Sequence, residues 1–350
     1  MTLYFLPASD SGLQNRIFQG QSPYLGGVSN MDFWRKFALA CERKGINLRT
    51  YDFWSKEKSQ PDDVLLVQNH PGETLLWRIF YFLKNLRSRG GFILARRKFL
   101  FENYKFFRHR ALWQGESPMV VPYIYNNLEN LKKSGIYHGA FFLSRRGGDY
   151  GYFNYFEYRD DGIVSPNFDD PKERFLVMVN TNAMPHSLVN EFYGERLKAI
   201  KYFSGVPGFD LYGYGWDKMP RHPFYFHYGK YVKKVFRGTA ADKVKTLSSY
   251  KFTLCFENCA YPGYVSEKIF DCLAAGSIPV YLGAQDITSF VPENCFIDFR
   301  KFGSYKELHN FLFSRTEEDL ANCRKSVRDF LENNSSRKPL NSFIDEVVGS

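Results

Sequence analysis

The residues best placed to do chemistry lie side by side: Ser266-Glu267-Lys268, a hydroxyl, a carboxylate and an ammonium, follow directly on the turn residues Pro262-Gly263. Upstream is an apolar run, Tyr250-Lys251-Phe252-Thr253-Leu254-Cys255-Phe256; downstream, Val265, Ile269, Cys272 and Leu273 recur at helical spacing. The three therefore occupy the first turn of a helix that follows a strand, and Gly276 supplies its stop before a second strand, Ile278–Leu282. A helix start presents unpaired N–H groups and about half a positive charge. Lys268 adds a full charge, so a diphosphate docked at the carboxyl end of the preceding strand is stabilised there. Open α/β sheets bind nucleotides in such crevices. A solvated helix start accommodates the same three residues, and spacing alone does not choose between the two.

The elements that must position these groups alternate along the chain. Ser29 or Asn30 caps a helix through Phe33, Phe37, Ala40 and Cys41; Gly45 stops it before an extended Ile46–Tyr51. A strand, Val64–Val67, then precedes the loop Gln68-Asn69-His70-Pro71-Gly72 and a long helix from about Thr74 to Arg89. Between Arg159 and Arg174 the composition shifts to Asp, Pro, Gly, Asn and Lys, the signature of a connection. Alternation resumes with strand Phe175–Val179, helix Ser187–Phe203 and strand Phe209–Tyr212, closed by Gly213 and Gly215. The division is an N-terminal α/β domain over 1–160, a linker over 161–174, and a second α/β domain over 175–350.

Phe256-Glu257-Asn258, five intervening residues, Tyr264-Val265-Ser266-Glu267-Lys268-Ile269-Phe270-Asp271, and Ala275-Gly276-Ser277-Ile278-Pro279-Val280-Tyr281-Leu282-Gly283 together resemble the signature of the α1,3/α1,4-fucosyltransferases. The likeness extends upstream through Asp242-Lys243 to Tyr250, downstream to Asp298, and more weakly back to Arg110. It implies a GT-B fold: two Rossmann-like domains facing each other across a cleft, with the sugar nucleotide on the C-terminal half. It also implies GDP-L-fucose as donor, inversion at the anomeric carbon, a glycan acceptor (O3 of GlcNAc or Glc in lactosamine-type chains), no cofactor and no metal. The absence of an Asp-x-Asp pair agrees with that last point.

Residue roles follow from the same resemblance. Lys268 pairs with the donor phosphates, with Ser266 beside it in the motif; Glu267 accepts from ribose or fucose hydroxyls; Asn258 and Tyr264 line the fucose pocket. Arg196, in Tyr193–Ile200, is the second cation, its planar fork suited to two phosphate oxygens. Arg237 and Lys243 are secondary candidates for nucleotide contact. Glu116, after Trp113-Gln114-Gly115, is the candidate base that deprotonates the acceptor hydroxyl, with Asp149, Glu157 and Asp160 as competitors. The loop Ser144–Phe156, basic and aromatic, departs from the family pattern and leaves acceptor and linkage open. A different GDP-sugar on the same scaffold, or a non-catalytic carbohydrate-binding relative, are the nearest alternatives.

Composition bounds the rest. Forty-four per cent hydrophobic and 24% charged residues in 350 suit a folded chain of two domains, not a disordered or fibrous one. An excess of 47 Lys+Arg over 37 Asp+Glu, net +10, favours anionic partners. The bases are spread through the chain and no nucleic-acid module signature is present, so nucleic acid is not the expected partner. His222 and His227 match no metal-ligand spacing and are read as structural. The start, Met1–Pro7, lacks a basic segment, and the six cysteines form no CxxC pair; a cytoplasmic protein with reduced thiols is expected. Its basic excess leaves peripheral contact with the membrane open, as it leaves oligomeric state.

Overall fold

The computed structural model describes residues 1–19, 28–71, 90–144, 151–152, 164–185, 187–333 and 340–349. The expected helix over 74–89, the carboxylates Asp149, Glu157 and Asp160, and most of the loop 144–156 lie outside them. The chain divides into two compact units: residues 1–25, 29–153 and 338–350 form one, residues 26–28 and 154–337 the other.

The first unit is built on a parallel sheet ordered β2-β1-β3-β4-β5-β6, with β1 Thr2–Leu6, β2 Asn47–Thr50, β3 Val64–Gln68, β4 His109–Gln114, β5 Gly139–Phe142 and β6 Gly151–Tyr152. Strands β1 and β3 are apolar almost throughout and buried on both faces, as parallel strands covered by helices must be. Its helices are α1 Val28–Arg43, α2 Gly90–Asn103, α3 Pro122–Tyr125 and α4 Leu128–Lys133. On one face, Phe33 and Trp34 of α1 pack on Trp113, Trp34 also on Phe5, and Phe37 on Trp34. Leu100, Phe107, Ile124 and Leu131 fill the other.

The second unit has a parallel sheet ordered β11-β10-β9-β7-β8, with β7 Arg174–Val179, β8 Phe209–Tyr212, β9 Tyr250–Phe256, β10 Ile278–Leu282 and β11 Ile297–Asp298. Helices α5 Tyr193–Phe203, α6 Gly229–Val235, α7 Lys243–Leu247, α8 Glu267–Ala275, α9 Tyr305–Phe313 and α10 Glu317–Asn333 cover it. From β7 the chain goes outward to β8 and then returns to place β9 on the other side of β7, so strand order reverses between β7 and β9. Carboxyl ends at such a reversal splay their loops apart and leave a crevice.

Three boundaries differ from the sequence reading. The described part of the proposed linker is packed, not free: Phe168 is buried, Ser165 N–H donates to the Ala274 carbonyl at 2.9 Å, and the Lys172 ammonium donates to the Ala275 carbonyl at 3.2 Å, tying the segment to the end of α8. Helix α5 begins at Tyr193, not Ser187. Residues before it spend their backbone groups elsewhere: Asn190 has φ 57°, its carbonyl accepts from Ala260 N–H at 3.0 Å, and Phe192 N–H donates to the Asn258 carbonyl at 3.0 Å. Finally, the last helix, α11 Leu340–Val348, belongs to the first unit, where Phe343 packs on Phe33, Phe37 and Phe141.

Candidate functional site

The reversal point of the second sheet opens into a cavity of about 250 Å³, lined by Asn180 and Thr181 after β7, Tyr214 after β8, Asn258 after β9, Arg196 of α5, Lys243 of α7, and Glu267 and Lys268 of α8. Each reaches it for a local reason. Ser266 caps α8 by accepting from Lys268 N–H, which sets Glu267 and Lys268 in the first turn. Gly276, at φ 69° in the left-handed region, ends α8; a Cβ there would stand 2.5 Å from the Phe168 carbonyl oxygen, so no other residue turns this corner without strain. Gly194 N–H donates to the Glu191 carboxylate at 2.9 Å, and this, with the two backbone bonds to residues 258 and 260, fixes the start of α5 and so the place of Arg196.

Arg196 is 3% exposed. One of its terminal nitrogens donates to the carbonyls of Phe256 and Glu257, each at 2.7 Å, and to Asn258 Oδ1 at 2.9 Å; its Nε has no hydrogen-bond partner among the described residues. The guanidinium also lies over the Tyr193 ring, 4.7 Å from its centroid. All three acceptors are neutral and no carboxylate pairs with it among the described residues, so its full charge, already desolvated, is left for an anion.

Lys268 is held differently. Its ammonium contacts the Glu257 carboxylate at 3.2 Å, Ser266 Oγ at 2.9 Å and Glu267 Oε1 at 3.7 Å. Burial works against its charge, but Glu257 and Glu267 outweigh it and hold the pKa above that of an ordinary lysine. For Glu267 burial works in the opposite sense; Lys268 and Lys243, helped by its own N–H at the helix start and by the Ser266 hydroxyl, prevail and bring the carboxyl down to about 2. Lys243 makes a 2.8 Å ion pair with Asp271, fully buried on α8. Burial opposes that charge too, and Asp271 with Glu267 raises the pKa of Lys243 regardless.

The structure thus brings together Arg196, Lys243, Asn258, Glu267 and Lys268 around one space. Two of the expected contacts stand behind that space instead. Tyr264, 2% exposed, accepts at its hydroxyl from Asn258 Nδ2 at 3.3 Å and so orients Asn258. Ser266, also 2% exposed, serves as cap and as a donor to Glu257. Arg237 is not among the lining residues: Asp210 captures its Nε at 2.5 Å, in a cluster with Tyr250 and Arg174. His222 is buried and its Nε2 sits 3.1 Å from Glu191 Oε1, the structural role expected of it. Among the described residues no three His, Cys, Asp or Glu side chains are grouped as metal ligands.

Two residues escaped the sequence reading. Glu257, wholly buried, gathers Ser266 N–H at 2.7 Å, the Ser266 hydroxyl and Lys268. Asp271 anchors Lys243. Both had a signal: a carboxylate closing an apolar strand, and another amid the apolar positions Ile269, Cys272 and Leu273, must find a buried cation or donor.

Glu116 lies in the first unit, half-buried in the loop after β4. Its turn is braced. Asn69, at φ 57°, accepts at Oδ1 from Gly115 N–H at 2.9 Å and from Gln114 Nε2 at 3.3 Å, and the Tyr125 hydroxyl donates to the Glu116 carbonyl at 3.1 Å. Buried Arg96 donates to the carbonyls of Gln68 and Asn69, fixing the facing loop. Next to it His70 is 2.7 Å from the Tyr137 hydroxyl; burial, then Arg96 and Arg97, depress its pKa to about 3, which keeps the ring neutral.

Comparison with known proteins adds the following. Residues 210–322 match the model of the C-terminal region of glycosyltransferase family 10 (fucosyltransferase). The chain is 50% identical over 62 residues to an alpha-(1,4)-fucosyltransferase of Arabidopsis thaliana, a stretch covering 18% of this chain and 16% of that one. It is 29% identical over 216 residues to 4-galactosyl-N-acetylglucosaminide 3-alpha-L-fucosyltransferase 9 of Bos taurus, covering 57% and 50%. The match thus spans half or less of these relatives' length. In fold, the chain is similar to a crystallised alpha1,3-fucosyltransferase (TM-score 0.52, 15% identity, 100% and 90% covered) and to Anabaena Alr3699/HepE with UDP and glucose (TM-score 0.53, 13% identity, 100% and 99% covered). The fold class is GT-B, with two parallel-sheet α/β domains, as the sequence led one to expect.

Proposed function

We propose, on the premise that this chain belongs to glycosyltransferase family 10, the fucosyltransferases, that it transfers L-fucose from GDP-L-fucose to a hydroxyl of a glycan acceptor. The observation that carries this reading is the pairing of a desolvated Arg196, whose acceptors among the described residues are all neutral, with the capped start of α8 around one cavity. A departing GDP gains negative charge as the glycosidic bond breaks; a guanidinium and an ammonium beside a helix start, already fixed in place, favour that state over the ground state. Lys268 and Arg196 are assigned to the diphosphate, with Lys243 beside them. Glu267, ionised throughout the working pH range, accepts from ribose or fucose hydroxyls. Asn258, oriented by Tyr264 and Arg196, faces the sugar.

Glu116 is the proposed base, removing the acceptor proton as that oxygen attacks the anomeric carbon with inversion. The reaction is read as metal- and cofactor-independent, the acceptor as O3 of GlcNAc or Glc in a lactosamine-type chain, and the setting as cytoplasmic. Radiolabelled GDP-fucose offered with N-acetyllactosamine, type 1 and plain galactose acceptors tests donor and acceptor together. Glu116→Gln is expected to abolish transfer while GDP affinity by calorimetry stays at the wild-type value. Undiminished transfer in that variant removes Glu116 as base; absence of any fucosylated product from the wild type, with GDP bound, removes the reaction.

A further inference from the structure

Two loops of the second unit hold large apolar side chains out in water. Leu188 and Val189 precede α5; Tyr214, Met219, Phe224 and Phe226 lie between β8 and α6, all 51% to 65% exposed. The loops form one surface because they are stitched together. Asn182 Nδ2 donates to the carbonyls of Gly215 and Met219 at 2.8 and 3.0 Å, Asn182 Oδ1 accepts from Arg221 N–H at 3.0 Å, and His222 meets Glu191 at 3.1 Å. Buried Asn182 and His222 hold this face in shape from beneath, so the apolar tips are presented and not collapsed inward.

The segment that carries Tyr214, Met219, Phe224 and Phe226, with the helix that follows it, is basic. From 214 to 234 there are five exposed bases, Lys218, Arg221, Lys230, Lys233 and Lys234, against one acid, Asp217, net +4 with His neutral. None of the five has an ion-pair partner among the described residues. On α6, Val232 and Val235 are buried while Lys230, Lys233 and Lys234 point to solvent.

We propose that this face docks on an anionic lipid bilayer, with Phe224 and Phe226 entering the interfacial layer and Lys230, Lys233 and Lys234 meeting headgroup phosphates. Contiguous exposed apolar side chains mark an interaction surface, and unpaired bases beside them select an anionic one. The aliphatic tips decide between ligands. Sugars and bases are recognised by aromatic faces with hydrogen-bond donors, whereas Leu188 and Val189 offer only hydrocarbon and Met219 a soft thioether, which acyl chains accept.

The test is co-sedimentation of the full chain with sucrose-loaded vesicles of phosphatidylcholine alone or of equimolar phosphatidylcholine and phosphatidylglycerol. Binding to the anionic vesicles is expected, weakening with salt, and little to the neutral ones. The double variant Phe224→Ser, Phe226→Ser and, separately, Lys233→Glu, Lys234→Glu are each expected to weaken it at least about tenfold. Unchanged GDP affinity in both certifies that they fold. Three results overturn the proposal: no binding to anionic vesicles, equal binding to both kinds, or wild-type binding by both variants. Self-association of the wild type, abolished in the Phe variant and accompanied by no vesicle binding, would assign the face to a second copy of the chain.

Discussion

Arg196 and Lys268 carry the same charge but are used differently. Arg196 meets two carbonyls and an amide oxygen from one terminal nitrogen and keeps the rest of its planar fork, Nε included, for an anion, whereas an ammonium carries all its donors on the one atom those acceptors would occupy. Arg196→Lys is therefore expected to weaken GDP binding by roughly tenfold or more, measured by calorimetry, though net charge is unchanged. Glu267 gives a pH test. Its folded-state pKa, about 2, lies below the ordinary carboxylate value of 4.5, so its contribution to stability is complete above about 4.5 and is lost as pH falls toward 2. Glu267→Gln is expected to flatten that acid limb in urea titrations, by roughly 3 kcal/mol at most. The placement of such residues was legible from the sequence where it rested on local order: the cap, the helix start and the adjacent charges are all within three positions. Arg237 was not, because its fate depends on Asp210, 27 positions away. Glu257 was overlooked although its place at the end of an apolar strand signalled a buried partner; the fold supplies that partner in Ser266 and Lys268.

At the scale of elements, Val64–Val67, Tyr250–Phe256 and Ile278–Leu282 were legible as strands because parallel strands buried on two faces are nearly continuous apolar runs, whereas Thr2–Leu6, Gly139–Phe142, Gly151–Tyr152 and Ile297–Asp298 went unread. The stop of α8 was equally plain. Gly276→Ala meets both a left-handed φ and the Phe168 carbonyl, so a loss of about 1–3 kcal/mol is expected, read as a lower Tm, with GDP affinity retained when measured well below the transition. The start of α5 was misread by six residues for a reason that generalises. Local helical spacing continues through Ser187–Phe192, but the backbone there has better partners in the 258–260 loop. That loss of helix is what brings Arg196 to Asn258, so the misread boundary and the site have one cause.

For the whole molecule, the sequence foretold two α/β units but not their chain path. The last helix returns to the first unit, which composition could not reveal because α11 has the amphipathic pattern of any covering helix. Phe343, wholly buried, has its ring 5.1 Å from that of Phe141. Deleting 340–349 is accordingly expected to lower the melting temperature of the first unit while GDP protection of the second, followed by hydrogen exchange, persists. The charge balance also divides unevenly. The chain carries +10, yet around the donor cavity the cations Arg196, Lys243 and Lys268 equal the carboxylates Glu257, Glu267 and Asp271 in number, with the ion pairs made by the two lysines and Arg196 meeting neutral acceptors. A pocket neutral before its ligand arrives exerts no long reach on passing ions. Chloride, sulfate or a lone phosphate meets lysines already engaged by carboxylates, whereas a molecule long enough to reach the arginine, unpaired among the described residues, and the helix tip together gains from both.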